Sequence, residues 1–343
     1  MSNFYNEVKK QPEALRNFLD IYREDEFKSI HQASKLILKN DTLLISGMGT
    51  SYYAPSCIAG KICGKVRPII IETGELIDER MEMIRGEKVI MLISQSGESI
   101  EITKLIDILD EDTSIIGITN NPDSTLGEKS DVLLSLNAGA ESSITNKTFT
   151  NTLALLFLLE CCINKKNLNL CCDEIEEASF EMDRIINEYQ LQISGAVDYL
   201  LPADVIHFIG RGDVSMTLAD QSALIFMEGA KCNARAFSTG GFRHGPIEVC
   251  NKDHRAIFYL NNCTTSEKTI NLINQISDYG SHSVLITDIR SELPNSIMIN
   301  AKTDRQYTLA AAVVMELILI STAKQRGTVA GEFNITNKIC RTE

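Results

Sequence analysis

Two short stretches combine glycine with closely spaced hydroxyl side chains, each at the end of an apolar segment. They read SGMGTSYYA at residues 46–54 and SQSGES at residues 94–99. Glycine lets the backbone approach an anion, and hydroxyl groups donate hydrogen bonds to its oxygens. Neither stretch is a nucleotide motif, because Tyr52 replaces the last glycine of a dinucleotide fingerprint and no Gly-Lys-Ser/Thr follows. An ordinary helix N-cap would explain either stretch alone, but the two together predict a site for the phosphate of a small molecule.

The elements around these stretches indicate how they are positioned. Four apolar segments are typical of buried strands: TLLISG (42–47), RPIIIE (67–72), KVIMLIS (88–94) and SIIGIT (114–119). Their alternation with helical segments predicts a doubly wound parallel sheet, in which ligands bind beyond the carboxyl ends of the strands. The hydroxyl-rich stretches fall at that edge, where helix N-termini also favour an anion.

The same pattern recurs in the second half of the chain. The repeated segments are DVIHFIGRG (204–212), RAIFYLNNCTTSEKTINLINQI (255–276) and SVLITD (283–288), at offsets of about 163 to 169 residues. We therefore predict an α/β fold with two duplicated doubly wound parallel-sheet units of the flavodoxin-like type. The second copy has NNCTTSE in place of SQSGES, so we expect it to do something other than hold phosphate.

The pattern divides the chain into five predicted segments. They are an N-terminal helical segment (1–30), a first unit (31–165), a helical connector (166–198), a second unit (199–327) and a C-terminal tail (328–343).

Charge and cysteine usage narrow the class of protein. A net charge of −13 argues against a nucleic-acid partner, which requires a basic surface. The ten cysteines form no C-x-x-C pair, so no metal site is predicted. Cys161 and Cys162 lie in the apolar run LALLFLLECCI, which favours buried, inert thiols over a redox device. Without a signal peptide, a run of eighteen apolar residues or a lipidation motif, we expect a cytoplasmic protein that binds no membrane.

Glu228 and His244 are candidates for acid–base chemistry. Glu228 lies in LIFMEGA, an apolar helical stretch that would raise a carboxyl pKa and suit it to act as a base. A glutamate at a helix end that reaches solvent is the alternative, and the residues alone favour it. His244 lies in TGGFRHGPIE, where glycine and proline fix an irregular loop, and it could shuttle a proton near neutral pH or be a surface histidine. We expect His207, within the strand segment VIHFIG, to be a satisfied core residue.

Several of these motifs resemble those of the sugar isomerase (SIS) domain family. They are GTSYYA and SQSGES, the segment MEGAKCNARAFSTGGFRHGPIEV (227–249) and the tail NITNKICRTE (334–343). Across nearly the whole chain the arrangement resembles the isomerase half of glucosamine-6-phosphate synthase and the fructosamine-6-phosphate deglycases.

The resemblance implies an enzyme that binds a sugar phosphate as a homodimer, without a metal or organic cofactor. It implies the following phosphosugar-binding residues: Gly49, Thr50, Ser51, Ser94, Gln95, Ser96, Ser99 and, contacting the sugar, Thr145. It assigns to Glu228 the transfer of a proton between C1 and C2, and to His244 ring opening from across the subunit interface. It also implies that the tail (328–343) closes the site and places Lys338 near the sugar carbonyl, although a lysine in a terminal tail is ordinarily a solvated charge.

Two departures from the synthase narrow the reaction. Residues 1–40 are too short for its glutaminase domain, and Ile225 stands where that family has a lysine three residues before the catalytic glutamate. We therefore predict a deglycase or deaminase that acts on a ketosamine or hexose 6-phosphate through an enediol or enolamine. An aldose–ketose isomerase is the close alternative. A non-catalytic phosphosugar sensor is another, but such regulators carry a helix-turn-helix domain that the first forty residues do not resemble.

Overall fold

The computed structural model describes residues 2–86, 89–262, 266–293 and 295–335, which divide into two compact units. The first, here the N unit, consists of residues 13–141 and 147–173. The second, here the C unit, consists of residues 2–12, 142–146 and 174–334. The predicted site residue Lys338 lies outside the described residues.

Helices and parallel strands make up both units. The helices are α1 (Asn3–Val8), α2 (Gln11–Glu24), α3 (Lys28–Ile37), α4 (Thr50–Tyr53), α5 (Ser56–Ile62), α6 (Thr73–Glu79), α7 (Ile100–Ile108), α8 (Thr125–Lys129), α9 (Lys147–Ile163), α10 (Leu168–Glu188), α11 (Gln190–Leu200), α12 (Gly212–Ala230), α13 (Thr239–Arg243), α14 (Ser266–Ser277) and α15 (Asp304–Gln325). The strands are β1 (Thr42–Gly47), β2 (Arg67–Glu72), β3 (Val89–Ile93), β4 (Ser114–Thr119), β5 (Val132–Ser135), β6 (Val205–Gly210), β7 (Asn233–Ser238), β8 (Arg255–Leu260), β9 (His282–Thr287) and β10 (Ser296–Met298).

The two sheets have the same strand order. The N-unit sheet runs β2-β1-β3-β4-β5 and the C-unit sheet runs β10-β9-β8-β6-β7, with parallel pairing in both. In each sheet the second strand along the chain pairs on one side of the first strand, and the third strand pairs on its other side. The strand order therefore reverses between β1 and β3 in the N unit and between β6 and β8 in the C unit. The predicted fold class, two duplicated doubly wound units, is confirmed.

Apolar sequence runs explain why the central strands form. Every residue of β3 and of β8 is buried, as expected of parallel strands covered by helices on both faces. The long helix α15 is apolar enough to span a membrane by length and composition, but 83% of its apolar window is buried inside the protein. It is therefore a core helix. Cys161 is likewise buried in α9, as predicted, whereas its neighbour Cys162 is only half-buried.

A glycine ends the first strand of each unit because the following helix packs directly against it. A Cβ atom at Gly47 would lie 2.8 Å from the Ser51 Cβ, and one at Gly210 would lie 2.3 Å from the Ser215 carbonyl oxygen. Both distances are shorter than real Cβ contacts. Only glycine therefore allows the chain to turn this tightly from strand into helix.

We expect Gly210→Ala to destabilise the protein by about 2–3 kcal/mol, because the new methyl group meets backbone that cannot rotate away. Urea unfolding measures this effect. Gly195→Ala is the matched control, since a Cβ at Gly195 in α11 meets no atom within 4 Å. Equal stability of the two variants would contradict the close approach at Gly210.

Candidate functional site

The two hydroxyl-rich loops of the N unit emerge from neighbouring strands. Gly47 at the end of β1 pairs with Ile93 at the end of β3. A Cβ at Gly47 would lie 2.9 Å from the Ile93 carbonyl oxygen. Because these strands flank the reversal point of the sheet, the loops after them form the crevice in which doubly wound proteins bind ligands.

Serine hydroxyls line the second of these loops. The Ser94 Oγ lies 3.0 Å from the Ser99 Oγ and accepts a hydrogen bond of 3.1 Å from the Gly97 amide. Ser99 is the N-cap of α7, yet its side chain makes no capping hydrogen bond to the described helix. The alternative of an ordinary capping serine is therefore wrong for Ser99, whose hydroxyl turns towards Ser94 instead.

The segment after β4 holds this loop in place. The Gln95 carbonyl oxygen accepts hydrogen bonds from the Asn120 amide at 3.0 Å and from the Thr119 hydroxyl at 3.2 Å. The Glu98 carboxylate accepts from the Thr125 amide at 2.7 Å and from its hydroxyl at 3.1 Å. The loop is thus preorganised by a neighbouring loop, which suits a site that binds one ligand geometry.

In the C unit, Glu228 lies in the last turn of α12 and is half-buried. The start of the C-terminal tail is tied to this helix end. The Lys231 ammonium group donates to the Glu228 carbonyl oxygen at 2.5 Å and to the Glu332 carbonyl oxygen at 2.6 Å. The Gly331 amide donates to the Gly229 carbonyl oxygen at 3.3 Å. Two of these contacts involve main-chain carbonyl oxygens of this helix end.

The segment that contains Thr145 packs against the same helix end. A Cβ at Gly229 would lie 2.7 Å from the Ile144 Cδ1, so the glycine after Glu228 makes room for residues 142–146. Thr145 is half-buried. The structure thereby brings the Thr145 segment to the helix end that carries Glu228.

A cavity of about 380 Å³ lies beside these segments in the C unit. Its walls come from residues 2–4, from Ser142 and Ser143, and from residues 329–333. The volume would accommodate a small organic group.

His244 follows α13 in an irregular, exposed loop. The Ser238 hydroxyl caps this short helix by accepting from the Gly241 amide at 2.9 Å. Gly245 has φ +129°, a conformation that L side chains rarely adopt. The loop therefore presents the histidine on the surface in a defined backbone conformation.

A pair of histidines lies beneath this loop. The His207 Nδ1 is 2.9 Å from the His254 Nε2, and the His254 Nδ1 is 2.5 Å from the Ser281 Oγ. The Phe242 ring of α13 contacts both imidazoles, with centroids 5.8 Å and 5.7 Å apart. His207 therefore has a side-chain partner, as expected, but it is half-buried rather than part of the core.

We expect this pair to make stability sensitive to acid. Burial, together with the charges of His207 and Arg255, lowers the pKa of His254 to about 4 from an ordinary 6.5. Between these pH values the unfolded chain binds a proton that the folded protein does not, so the free energy of unfolding falls as the pH falls.

Between pH 7 and pH 5, the free energy of unfolding of the wild type should fall by roughly 2 kcal/mol more than that of His254→Gln. The measurement is urea unfolding of wild type and variant at both values. Burial raises the pKa of Asp220 and of Asp288 to about 6, which makes the folded protein more stable as the pH falls. Because both carboxyl groups are present in the wild type and in the variant, their contribution cancels when the two proteins are compared. Identical pH dependence in the two proteins would contradict this account of His254.

The sequence-predicted site residues are divided between the two units. The N unit contains Gly49, Thr50, Ser51, Ser94, Gln95, Ser96 and Ser99; the C unit contains Thr145, Glu228 and His244. Sequence reasoning missed the supporting contacts of Glu98 and Lys231. The spacing of Lys231, three residues after Glu228, could have indicated a contact between them, since residues three apart are neighbours on a helix. No residue near Glu98 in sequence indicates its partner Thr125.

The family profile of the SIS domain matches residues 36–161, which include β1, β3 and both hydroxyl-rich loops. This chain contains a SIS domain.

Curated relatives extend the similarity beyond the SIS domain. The chain is 24% identical over 338 residues to the isomerising glutamine–fructose-6-phosphate aminotransferase of Pyrobaculum aerophilum, covering 94% of this chain and 54% of the relative. It is 26% identical over 298 residues to that of Pyrococcus horikoshii, covering 82% and 47%. The chain thus spans about half the length of the curated relatives it matches.

Solved structures share the whole fold. The C-terminal domain of the Francisella tularensis glucosamine-fructose-6-phosphate aminotransferase superimposes with a TM-score of 0.79 at 22% identity, covering 95% of this chain and 96% of that one. Tagatose-6-phosphate ketose/aldose isomerase from Escherichia coli gives 0.82 at 16% identity, covering 97% and 96%. Glucosamine-6-phosphate deaminase from Thermotoga maritima gives 0.77 at 19% identity, covering 98% and 99%. The chain is homologous to the isomerase domain of the aminotransferases and shares its fold with the deaminase and the ketose/aldose isomerase.

Proposed function

We propose that this protein is a phosphosugar enzyme that cleaves a sugar–amine 6-phosphate, as a deglycase or deaminase. The SIS loops of the N unit would bind the phosphate. Glu228 would remove a proton from the carbon next to the carbonyl or imine, giving an enediol or enolamine. In cleavage, return of the proton to the neighbouring carbon would give an imine, which water hydrolyses to a hexose 6-phosphate and the free amine. His244 would move the proton of the ring oxygen during opening.

The geometry of the serine loop carries the phosphate part of the proposal. Ser94 and Ser99 direct their hydroxyls at one another, 3.0 Å apart, at the reversal point of the sheet. Neighbouring hydroxyls that do not cap the helix are available to rotate towards a bound phosphate. Homology to the isomerase domain of the aminotransferases adds support, since those enzymes are named for fructose 6-phosphate.

The position of Ile225 supports cleavage over the reaction of the aminotransferases. It lies one helical turn before Glu228 and is completely buried. A lysine at this position, which the resemblance assigns to the synthase, would place a charge in the core of the C unit. This chain therefore lacks one of the groups associated with that reaction.

Two further features belong to the proposal. We propose a homodimer in the cytoplasm, in which the exposed His244 of one subunit reaches the site of the other. Its exposure in a backbone fixed by Gly245 supports this role. Lys338 would polarise the carbonyl or form an imine with it.

Aldose–ketose isomerisation is the second candidate. It is favoured by the structural similarity to the Escherichia coli tagatose-6-phosphate ketose/aldose isomerase, at a TM-score of 0.82. It would use the same base and the same intermediate, without loss of an amine.

A substrate panel separates the two candidates. Purified protein is incubated with fructose 6-phosphate, glucosamine 6-phosphate and the fructosamine 6-phosphate conjugate of lysine, and products are followed by mass spectrometry. Release of free amine with hexose 6-phosphate is expected. Interconversion of hexose 6-phosphates without amine release would favour the isomerase. Binding of all three without any turnover would contradict the proposed cleavage and favour a sensor.

A further inference from the structure

The C unit contains a buried carboxylate that sequence analysis did not single out. Glu7 of α1 accepts hydrogen bonds from the segment 142–146, which lies 135 to 139 residues away in sequence. The donors are the Ser142 amide at 2.6 Å, the Ser142 hydroxyl at 2.9 Å, the Ser143 amide at 3.3 Å, the Ser143 hydroxyl and the Asn146 side-chain amide at 3.0 Å. Both carboxylate oxygens are used, and Glu7 is only 9% exposed.

The donors bracket Thr145 in sequence. Ser143 lies two residues before it and Asn146 one residue after it, so one carboxylate holds the backbone before Thr145 and the Asn146 side chain after it. Ile144, between them, packs at Gly229 beside Glu228. A displacement of this carboxylate would therefore move Thr145 relative to the helix end that carries Glu228.

The same short helix also contacts the start of the tail. A Cβ at Gly331 would lie 2.7 Å from the Phe4 Cβ, and the Gly331 amide donates to the Gly229 carbonyl oxygen. Phe4 is fully buried. Helix α1 thus holds both segments that adjoin the Glu228 helix end.

We infer that Glu7 is a positioning residue for sugar recognition: its carboxylate holds residues 142–146 so that Thr145 contacts the sugar next to Glu228. This inference rests on the proposed function. The hydrogen bonds from residues 142–146 to the Glu7 carboxylate, here called the Glu7 clamp, require an acceptor at both oxygens, because each oxygen faces N–H or O–H donors. Glutamine would present an N–H group to donors at one of these positions, leaving buried groups unpaired.

The test compares the dissociation constants of inorganic phosphate and fructose 6-phosphate. In the wild type, fructose 6-phosphate should bind more tightly, and the ratio of the two constants reports contacts to the sugar. Glu7→Gln should lower this ratio roughly tenfold while leaving the dissociation constant of phosphate unchanged. Glu7→Asp, which keeps two acceptor oxygens, should fall between wild type and Glu7→Gln.

Glu181→Gln is the matched control. Glu181 is also a buried carboxylate of the C unit, 7% exposed, and accepts from the Asn300 amide at 2.9 Å and from Arg184. It should lower stability but leave the ratio unchanged. Because Glu7 is inferred to act through Thr145, Thr145→Val should lower the ratio as well. The double variant with Glu7→Gln and Thr145→Val should have a ratio no lower than that of the stronger single variant.

The outcomes separate this inference from the proposed function. A Glu7→Gln protein that remains folded with the wild-type ratio would overturn the role of Glu7 alone, as would strictly additive effects in the double variant. A wild type that binds fructose 6-phosphate no better than inorganic phosphate would contradict the proposed function, and with it the sugar contact that Glu7 positions.

Discussion

Glu228→Gln is expected to abolish turnover while leaving the protein folded and able to bind its substrate. General acid–base catalysis contributes roughly 10²- to 10⁴-fold to a rate, so kcat should fall by a similar factor. The dissociation constant of fructose 6-phosphate should change little. Glutamine has nearly the shape of glutamate but cannot accept the proton.

The main-chain contacts at this helix end do not depend on the chemistry of the Glu228 side chain. Lys231 bonds to the main-chain carbonyl oxygen of Glu228 at 2.5 Å, and the tail is tied through the carbonyl of Gly229. These contacts persist when the side chain changes to an amide. The helix end and the tail therefore remain in place.

Glu267→Gln is the control for the loss of one negative charge. Glu267 is exposed in the first turn of α14, and its variant should match the wild type in kcat and in KM. The kinetic measurement uses the best substrate of the panel. A Glu228→Gln protein that retains more than about a tenth of the wild-type kcat would rule out a proton-transfer role for this carboxylate.

Gly97→Ala is expected to eliminate phosphate binding, with dissociation constants for inorganic phosphate and fructose 6-phosphate rising by about 100-fold or more. Gly97 has φ +68°, and a Cβ there would lie 1.9 Å from the Ser124 Oγ. The backbone must therefore move. Its amide, which donates to the Ser94 hydroxyl at 3.1 Å, would move with it and release the serine from its present orientation.

Gly74→Ala is the matched control within the same unit. A Cβ at Gly74 in α6 meets no atom within 4 Å. This variant should bind phosphate as the wild type does and be more stable by up to about 1 kcal/mol, since alanine favours a helix. Isothermal titration calorimetry measures both constants. Phosphate binding that survives Gly97→Ala would show that the serine loop is not the phosphate site.

Strand prediction from sequence succeeded where a strand is buried on both faces. β1, β3 and β8 appear as continuous apolar runs because helices cover the sheet on each side. β5, β7 and β10 were not predicted. β7 reads NARAFS and is largely exposed at the sheet edge, and β10 has three residues. Their pairing to β4, β6 and β9, rather than their own composition, makes them strands.

In the candidate site, too, features formed by adjacent residues were easier to predict than contacts between residues distant in sequence. The glycine and hydroxyl spacing in SQSGES could be interpreted from the stretch itself, because the residues that form a tight turn and those that donate to an anion are adjacent in sequence. The Glu7 clamp could not be interpreted in this way, because its donors lie 135 to 139 residues away and a lone glutamate in a short helix has no distinguishing pattern. Adjacent residues thus indicate candidate groups for a site, whereas the contacts that hold those groups come from residues distant in sequence.

The most direct test of the central claim is solvent isotope exchange at carbon. Deglycase, deaminase and isomerase reactions all pass through loss of a proton from the carbon next to the carbonyl or imine. Wild-type protein and Glu228→Gln are incubated in D₂O with fructose 6-phosphate and with the lysine conjugate, and deuterium on the sugar carbons is measured by NMR and mass spectrometry. The account predicts deuterium incorporation by the wild type and none by Glu228→Gln, with both proteins binding the sugar phosphate. Equal incorporation by both proteins, or binding without incorporation by the wild type, would contradict it.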